Sequence, residues 1–337
     1  MSTHLDGKRL VRAAQLHAYG EPPTSAHVAP PERGTGQALV APTAVPLTPL
    51  DVLCATGRSY FGQPPLPYVP GVQGVGVVRE SDTLPSGTRV WFPTTAGMAP
   101  GDGSLAELAL AAESDLVPLP DGVDDELTAA LGLSAVGAWM CVTWRGALRA
   151  GEAVLVLGAG GVVGQVAVQT ALLHGARRVV AAARSEDSRQ LALSQGAHEV
   201  VALDADDEVA DLATRFEEAC GGLVDLVIDP LCGTPATAAA RVLAEGGRLV
   251  NLGSSAGPTA EFDSAVIRSR VASVLGYTNN ALTTEQRRDA LTALLARARD
   301  GELTVAHEVV DWDDASGAWA RQASGRARQR IVVRVSL

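Results

Sequence analysis

The sequence predicts an α/β protein with two domains, a small β-barrel or irregular-sheet domain and a domain with a doubly wound parallel sheet. Three observations carry this prediction. Short strand-like segments with many Gly and Pro turns fill the chain up to about residue 120, strands and helices alternate after it, and a glycine-rich turn follows the first strand of the alternating part. A chain of 337 residues is long enough for two such domains.

The composition narrows the class of partner. Hydrophobic residues make up 47% of the chain and charged residues 19%, and the formal net charge is −11. This acidic balance argues against nucleic acid or an anionic membrane surface as a partner. The four cysteines are far apart and form no C-x-x-C pair, which is typical of a protein of the reducing cytoplasm. Two uncharged stretches, 127–144 and 153–174, are broken by glycines and are not predicted to span a membrane.

The first domain is predicted from closely spaced strands. The candidate strands are 11–17, 36–42, 72–79, 89–93 and 107–111. Punctuation by Gly and Pro at this density indicates a small barrel or an irregular sheet. From Asp124 onward the pattern changes to long apolar helical segments, so we place the domain boundary near residue 120.

The second domain is predicted from alternation. Its candidate strands are 153–157, 178–182, 199–202, 224–229, 248–252 and 271–276, with helices between most of them. Such alternation implies right-handed crossovers and a parallel sheet. A helix at 284–300, strand-like pieces at 303–310 and 331–335 and a helix near 314–323 follow, and this tail is again of the first type. The predicted domains are therefore 1–120 with 277–337, and 121–276.

The glycine-rich turn lies between a buried strand and an apolar helix over 162–174. We interpret its spacing as G-x-x-G-x-x-G on Gly158, Gly161 and Gly164, with Gly160 as an additional glycine. Glycine lets the backbone approach a pyrophosphate, and the helix N-terminus presents N–H groups to the anion. The alternative is a tight turn in an ordinary α/β unit. The predicted phosphate-binding residues are Gly158, Ala159, Gly160, Gly161, Val162, Val163 and Gly164.

The end of the second strand predicts which dinucleotide binds. An NAD site usually carries Asp or Glu there, to accept a hydrogen bond from the ribose 2′-OH. Here the strand ends in alanines, and Arg184 and Ser185 follow. A guanidinium beside a hydroxyl suits a 2′-phosphate, so NADP(H) is the predicted cofactor. The alternative is that Arg184 is a solvated loop residue and that the site does not discriminate; Arg189 is a further candidate from the next helix.

Several motifs occur along the chain in a recognisable order and spacing. They are Thr48-Pro-Leu-Asp51, Leu66-Pro-Tyr-Val-Pro-Gly-Val-Gln-Gly-Val-Gly-Val-Val78, Gly87-Thr-Arg-Val-Trp91, Ser104-Leu-Ala-Glu107, Val117-Pro-Leu-Pro120, Leu131-Gly-Leu-Ser134, the glycine turn and Gly246-Gly-Arg-Leu-Val-Asn-Leu-Gly253. Together they resemble the medium-chain dehydrogenase/reductase superfamily and its zinc-free quinone oxidoreductase-like branch. The resemblance covers residues 11–335 and implies a GroES-like β-barrel catalytic domain, a doubly wound Rossmann cofactor domain and a homodimer built by extending the Rossmann sheets.

Departures from the superfamily pattern concern the metal. Zinc alcohol dehydrogenases have Cys where this chain has Thr48, and Gly-His-Glu where it has Gly71, Val72 and Gln73. Zinc needs thiolate and imidazole ligands, so we expect no catalytic metal. Quinone oxidoreductases usually carry Asn at the position of Thr48 and Glu at that of Gln73, so the contact with substrate stays open.

The resemblance implies an NADPH-dependent reductase of an activated double bond in a quinone, an enone or a related carbonyl. Hydride adds to the β-carbon, and hydrogen-bond donors stabilise the enolate oxygen. Tyr60 matches a tyrosine that related reductases place at the mouth of the cleft, and Thr48 is the second candidate donor. The alternatives are that Tyr60 packs on the Pro64-Pro65 loop, that Thr48 is structural, and that water supplies the proton. Reduction of a C=N bond and NADPH binding without turnover remain alternative functions.

Further cofactor contacts come from strand ends and from the resemblance. Ser134 matches a hydroxyl residue near the nicotinamide ribose, the segment from Tyr277 to Asn279 matches one that meets the carboxamide, and Arg330 matches a basic residue near the adenosine phosphate. Two other groups, Asp229 with Leu231 and the segment from Gly253 to Ser255, lie at the ends of predicted strands. Each group has an alternative role in loop or helix-cap structure. The candidate residues are Ser134, Asp229, Leu231, Gly253, Ser254, Ser255, Tyr277, Thr278, Asn279 and Arg330.

Overall fold

The computed structural model describes residues 4, 5 and 8–335, and it divides into two compact units. One unit takes the residues up to Gly132 and those from Ala306 onward, and the other is Leu133–Val305. The predicted boundaries follow residues 120 and 276, whereas this division follows residues 132 and 305. Residues 1–3, 6, 7, 336 and 337 of the predicted domains lie outside the described residues.

The first unit is built mainly on antiparallel strand pairs, with one parallel pair at the end of its main sheet. Strand β5 is its centre and pairs with β6, β8 and β17. The main sheet runs β16-β17-β5-β6-β7-β9, β3 pairs with β4, and β1 pairs with β2. The strands are β1 (His4–Leu5), β2 (Lys8–Arg9), β3 (Val11–Gln15), β4 (Thr24–Val28), β5 (Gln37–Leu47), β6 (Gln73–Glu80), β7 (Arg89–Pro93), β8 (Ala109–Ala112), β9 (Val117–Pro118), β16 (His307–Asp311) and β17 (Arg330–Arg334).

Helices α1 (Pro49–Ala55) and α9 (Ala315–Ala323) lie wholly within the first unit. The sequence predicts α9 but not α1, because α1 has only seven residues and shows no helical repeat of apolar residues. A capping box holds it instead: Thr48 accepts from the Asp51 backbone N–H, and the Asp51 carboxylate accepts from the Thr48 backbone N–H. Strand β4 was also not predicted, since most of its side chains are exposed or half-buried.

The second unit is a six-stranded sheet in which every described neighbour pair is parallel. Its order is β12-β11-β10-β13-β14-β15, which is the doubly wound arrangement that the alternation predicts. The strands are β10 (Ala153–Leu157), β11 (Arg178–Ala183), β12 (Glu199–Ala202), β13 (Val224–Asp229), β14 (Leu243–Asn251) and β15 (Ser273–Gly276). The helices are α3 (Val162–Leu173), α4 (Glu186–Ser194), α5 (Val209–Cys220), α6 (Gly233–Arg241), α7 (Ser264–Ser269) and α8 (Thr284–Arg299).

Buried apolar runs explain why these segments form the sheet. All five residues of β10 are buried, and most of β11 and β13 are buried as well. Such strands need helices on both faces, and these helices bury their apolar stripes there. Helix α5, for example, buries Leu212 and Phe216 in the same core cluster as Leu155 of β10 and Val180 of β11. The sequence assigned α8 to the first domain, but it belongs to the second unit.

Helix α2 (Asp125–Met140) begins in the first unit and contains a kink. Gly132, inside it, has φ 36° and ψ −138°, a conformation that is not helical. Cys141–Arg145 continue the helix as a π-turn. The 21 residues Asp125–Arg145 are apolar enough to span a membrane, with a mean hydropathy of 1.5. Inside the fold, 67% of the apolar window is buried, so its composition is accounted for by packing.

Candidate functional site

The glycine turn lies at the carboxyl edge of the second unit's sheet, where strands β10 and β13 are neighbours. In a doubly wound sheet the chain order reverses there, and ligands bind at such a point. Gly158 has φ +67°, and a Cβ on it would lie 2.9 Å from the Leu231 side chain and 3.2 Å from that of Pro230. Only glycine fits this position without strain. The structure thus brings Gly158 and Leu231 together, as the sequence predicts for two strand ends.

The other turn glycines differ in what they need. A Cβ on Gly164 would lie 2.5 Å from the Ala159 Cα, so helix α3 packs directly on the turn. A Cβ on Gly160 would meet the Ser188 hydroxyl at less than contact distance, whereas one on Gly161 would meet only the Gly158 oxygen, at 3.7 Å. Gly160, treated as additional from the sequence, is therefore sterically required. Gly161 is exposed and faces open space.

The N-terminus of α3 fits a phosphate group. Gly161 is its N-cap residue and makes no side-chain cap hydrogen bond, whereas the neighbouring helix α4 is capped by Ser185. The first N–H groups of a helix have no partner within the helix, and they attract anions together with the helix dipole. Val162 and Val163 supply those N–H groups here. The open surface at Gly161 leaves room for a pyrophosphate to reach them.

The end of β11 carries a positive charge. Arg184 is exposed, and no carboxylate stands among the alanines before it. Arg189 is already occupied: its guanidinium donates to the carbonyls of Ala183 (3.1 Å) and Arg184 (2.7 Å) and pairs with Glu186 at 2.6 Å. Arg189 therefore supports the backbone that carries Arg184.

Ser185 and Ser188 connect this segment with the glycine turn. The Ser185 hydroxyl lies 2.7 Å from that of Ser188 and accepts from the Ser188 N–H at 3.2 Å. Ser188 is also the side chain that faces Gly160. The first turn of α4 thus backs the phosphate-binding turn, a role that the sequence did not predict for Ser188.

Asp229, at the end of β13, has an internal role. Its carboxylate is buried and accepts from the N–H groups of Leu231 (2.9 Å) and Cys232 (2.8 Å) and from the Asn251 amide (2.8 Å). Burial raises the pKa of Asp229, and these hydrogen bonds oppose the rise. The carboxylate therefore holds the loop that touches Gly158.

The predicted segment from Gly253 to Ser255 lies beside that loop. A Cβ on Gly253 would come within 2.5 Å of the Pro230 oxygen, so the two loops are in close contact. The Ser255 hydroxyl donates to the same oxygen at 3.3 Å, and Ser254 is exposed. These three residues thus lie at the same sheet edge as the glycine turn, as expected for neighbouring strand ends.

The segment after β15 is tied to helix α2. The Tyr277 hydroxyl donates to the Asn279 side chain at 2.7 Å, and the Asn279 amide donates to the Leu133 carbonyl at 2.9 Å. Thr278 is exposed and caps the short helical turn that follows. The chain therefore places these residues next to the turn of α2 that carries Ser134. Burial raises the pKa of Tyr277, so its hydroxyl stays protonated.

In the first unit, the Thr48 hydroxyl is hydrogen-bonded to Asp51. Its hydroxyl donates to the Asp51 carboxylate at 2.6 Å while accepting from the Asp51 N–H at 3.1 Å, and Thr48 is 4% exposed. Asp51 also accepts from the N–H groups of Gly71 (3.0 Å) and Val72 (2.8 Å). Burial raises the pKa of Asp51, against the lowering effect of these bonds. To donate to a substrate, the Thr48 hydroxyl would first have to leave Asp51.

The positions that hold zinc in metal-dependent relatives carry a poor donor set. Gln73 is buried, and its Oε1 accepts from the Trp91 indole at 3.1 Å. Thr48 and Val72 offer neither thiolate nor imidazole, and Asp51 is surrounded by its own donors. These residues do not fit Zn²⁺. Across the described residues, no group of three or more His, Cys, Asp and Glu side chains forms a metal site.

Tyr60 is exposed. Its ring is 77% accessible and lies 4.2 Å from that of Phe61. The hydroxyl that binds the Pro64 carbonyl belongs to Tyr19, at 2.7 Å. Tyr60 is therefore a surface residue, and its predicted role as a hydrogen-bond donor stays a proposal.

Arg330 lies at the start of β17 and is 8% exposed. Its guanidinium donates to the Leu47 carbonyl at 2.8 Å. Burial lowers the pKa of Arg330 to about 10, and the charge of Asp51 opposes that shift. The structure thus places Arg330 inside the first unit beside the Thr48–Asp51 pair, so its predicted part in cofactor binding stays a proposal.

Two family models match the chain. The alcohol dehydrogenase GroES-like domain covers residues 34–121, and the zinc-binding dehydrogenase domain covers residues 162–297. Among curated proteins, the quinone oxidoreductase of Mus musculus is 30% identical over 83% of this chain and 84% of its own length.

Solved structures agree in fold. The quinone oxidoreductase of Thermus thermophilus, also solved in complex with NADPH, is 29% identical with a TM-score of 0.80, over 96% of this chain and all of its own. A structure described as an NAD-dependent alcohol dehydrogenase is 27% identical with a TM-score of 0.84, over 96% of this chain and all of its own. These two relatives are described with different cofactors, NADPH for the first and NAD for the second.

Proposed function

Because this chain belongs to the medium-chain dehydrogenase/reductase superfamily, in its quinone oxidoreductase-like branch, we propose that it is an NADPH-dependent reductase of an activated double bond. The favoured substrates are quinones, enones and related conjugated carbonyls. The mouse and Thermus relatives, both named quinone oxidoreductases, support this substrate class, and the NADPH complex of the latter supports the cofactor.

One arrangement carries the cofactor proposal: the uncapped N-terminus of α3 with Arg184 on the adjacent strand end. The N–H groups of Val162 and Val163 would hold the pyrophosphate. Arg184 would hold the 2′-phosphate, and Glu186, two residues further along the chain, is paired with Arg189. When bound, the reduced nicotinamide supplies the hydride.

The remaining predicted residues divide into two groups. The first group positions neighbouring backbone segments, because its polar atoms or side chains make contacts inside the second unit. Its members are Asp229, Leu231, Tyr277 and Asn279. The second group consists of candidates for direct contact with the cofactor: Ser134, Gly253, Ser254, Ser255 and Thr278.

We further propose that no zinc takes part. The support is the donor set: Thr48 and Val72 stand where zinc enzymes carry Cys and His. The Thr48 hydroxyl donates to Asp51, and the Gln73 amide oxygen accepts from Trp91. Charge that develops on the substrate oxygen then needs a hydrogen-bond donor. Tyr60 is our candidate, because its phenol is exposed whereas Thr48 donates to Asp51.

Reduction of a C=N bond is the second candidate function. The observation that favours it is again the engaged Thr48 hydroxyl. An iminium carbon accepts hydride and leaves a neutral amine, so it needs little stabilisation of negative charge. A site with few available donors suits this reaction.

The deciding experiment measures NADPH oxidation at 340 nm with purified enzyme and a panel of quinones, enones and cyclic imines, with metal content measured on the same sample. We expect turnover of quinones or enones at below 0.1 mol zinc per mol, on the order of a trace contaminant. Turnover of imines alone would select the second candidate. NADPH binding without oxidation of any compound would indicate a non-catalytic protein, and stoichiometric zinc that is lost with activity would overturn the metal-free mechanism.

We also propose a homodimer formed through β15. This strand is the last in the described sheet and pairs on one side with β14. Val274 on it and Val271 just before it are 40% and 71% exposed. An uncovered apolar strand edge is a template for pairing with another strand. A second copy that adds its own β15 would cover both.

A cytoplasmic location completes the proposal. All four cysteines are free thiols, and Cys54, Cys141 and Cys220 are buried. Unpaired thiols suit a reducing compartment.

A further inference from the structure

A chain of buried amides lies behind the glycine turn. Gln165, the fourth residue of α3, is 1% exposed. Its Nε2 donates to the Gly160 carbonyl at 3.0 Å, and its Oε1 accepts from the Gln195 Nε2 at 3.1 Å. Gln195 follows directly after α4, so two helices meet the turn through one side chain.

A glutamine is an unfavourable residue at this buried position unless its amide makes hydrogen bonds. Its neighbours on α3, Val166 and Ala167, are fully buried and apolar. A buried amide loses its hydration, and hydrogen bonds have to offset that loss, whereas Leu or Met would fill the same volume without it. The presence of an amide at this buried position is therefore best explained by the hydrogen bonds that it makes.

What Gln165 holds is the peptide between Gly160 and Gly161. The carbonyl of that peptide accepts from Gln165, and its N–H donates to the Gly158 carbonyl at 3.1 Å. Ser188 closes the remaining side of Gly160. Glycine backbone is otherwise free to rotate. The peptide that leads into the uncapped N-terminus of α3 is thus held at both of its polar atoms.

We infer that Gln165 is a positioning residue for cofactor binding: it fixes the Gly160 carbonyl and thereby the direction in which the α3 N–H groups face the pyrophosphate. The inference rests on the proposed function for the identity of the ligand. It extends that function by assigning part of the affinity for NADPH to a side chain that is buried behind the turn and donates to its backbone.

The chain offers a matched control. Gln169 lies one turn further along α3 and is 7% exposed. Its amide binds the Thr304 backbone through both polar atoms, at 2.8 and 3.0 Å, instead of the glycine turn. Gln165→Met and Gln169→Met thus remove the same group from the same buried helix face, and only the first removes a bond to the turn.

The test measures the NADPH dissociation constant by fluorescence, steady-state kinetics, and backbone hydrogen exchange of the ligand-free protein. For Gln165→Met we expect a roughly tenfold higher Kd and KM for NADPH, kcat within about twofold of the native value, and faster exchange of the amides at 158–164. For Gln169→Met we expect a lower melting temperature with native Kd and native exchange in the turn. Gln195→Met, a half-buried position, is the second variant and should raise the Kd about threefold.

Equal NADPH affinity in Gln165→Met and Gln169→Met, with native exchange in the turn, would overturn the inference alone. A native chain that binds no NADPH would overturn the proposed function instead. The exchange experiment then decides by itself whether Gln165 holds the turn, because it needs no ligand.

Discussion

In our proposal, the preference for NADPH depends on Arg184. Arg189 has the same charge, but it is committed to Glu186 and to the backbone carbonyls of Ala183 and Arg184. A committed guanidinium has few N–H groups left for a phosphate, whereas Arg184 is exposed at the strand end. The two arginines therefore have different roles, which sequence spacing could not separate.

Replacing Arg184 by Ala is expected to raise the Kd for NADPH by roughly 10- to 100-fold, the effect of losing a charge-assisted hydrogen bond to a phosphate. The Kd for NADH should stay within about twofold, because NADH has no 2′-phosphate. Isothermal titration with both nucleotides measures the two values. Arg299→Ala, an exposed arginine paired with Asp300 at the end of α8, serves as the control and should change neither. An equal loss for both nucleotides would contradict the assignment.

Single residues were predictable where local backbone geometry decides them. Gly158, with its positive φ, and Gly164, packed on Ala159, follow from a strand–turn–helix pattern. The need for Gly at 160 did not follow, because it comes from Ser188, 28 residues later. Gln165 was also missed, since nothing in an apolar helix reports which carbonyl a glutamine side chain reaches.

At the scale of elements, the kink in α2 is set by Gly132. Its φ of 36° and ψ of −138° lie where residues with a Cβ are strained. A Cβ there would also overlap the Gln73 amide, which is held by the Trp91 indole. The kink therefore depends on both the backbone freedom and the small volume of glycine.

Gly132→Ala is expected to destabilise the protein by about 2–4 kcal/mol, from backbone strain and overpacking together. Gly137→Ala, five residues further along the same helix, is the matched control. Its Cβ would meet neighbours only at 3.6 Å and beyond, so stability should stay the same or rise by about 0.5–1 kcal/mol. Urea unfolding measures both. Equal midpoints for the two variants would show that the kink is not required.

The Rossmann strands were the most predictable elements. Strands β10, β12 and β13 have the bounds that the sequence predicts, because each is a short hydrophobic run between turns. Strand β14 begins at Leu243, five residues before the predicted start, because Glu245 and Gly246 interrupt the apolar pattern. They also fall in an irregular stretch of the ladder, and regular pairing with β13 resumes at Arg248. Unit boundaries were less predictable, since they depend on tertiary contacts such as that of Thr43 with Asp125, at 2.6 Å.

At the scale of the molecule, two sheets end in strands that carry exposed valines. Strand β15 ends the parallel sheet with Val274 at 40% exposure, and β16 ends the barrel sheet with Val309 at 38%. Only the first lies beside another strongly exposed apolar residue, Val271. We therefore expect a dimer formed through β15 to depend on Val274 and not on Val309.

Val274→Lys is expected to convert the dimer to a monomer at micromolar concentration, because charged side chains on an edge strand oppose pairing with a second chain. Val309→Lys should stay dimeric. Size-exclusion chromatography with light scattering measures the mass of each variant. A native protein that is monomeric, or a Val309→Lys variant that alone dissociates, would contradict the β15 interface.

The double contact of Ser188 has a consequence for redesigning the coenzyme preference. A library that randomises the residues after β11, 184–188, includes Ser188. Ser188 also faces Gly160, so any bulkier residue there presses on the turn that we propose to hold the diphosphate of either nucleotide. Diversity confined to 184 leaves that support intact, whereas diversity at 188 weakens binding of NADH and NADPH alike.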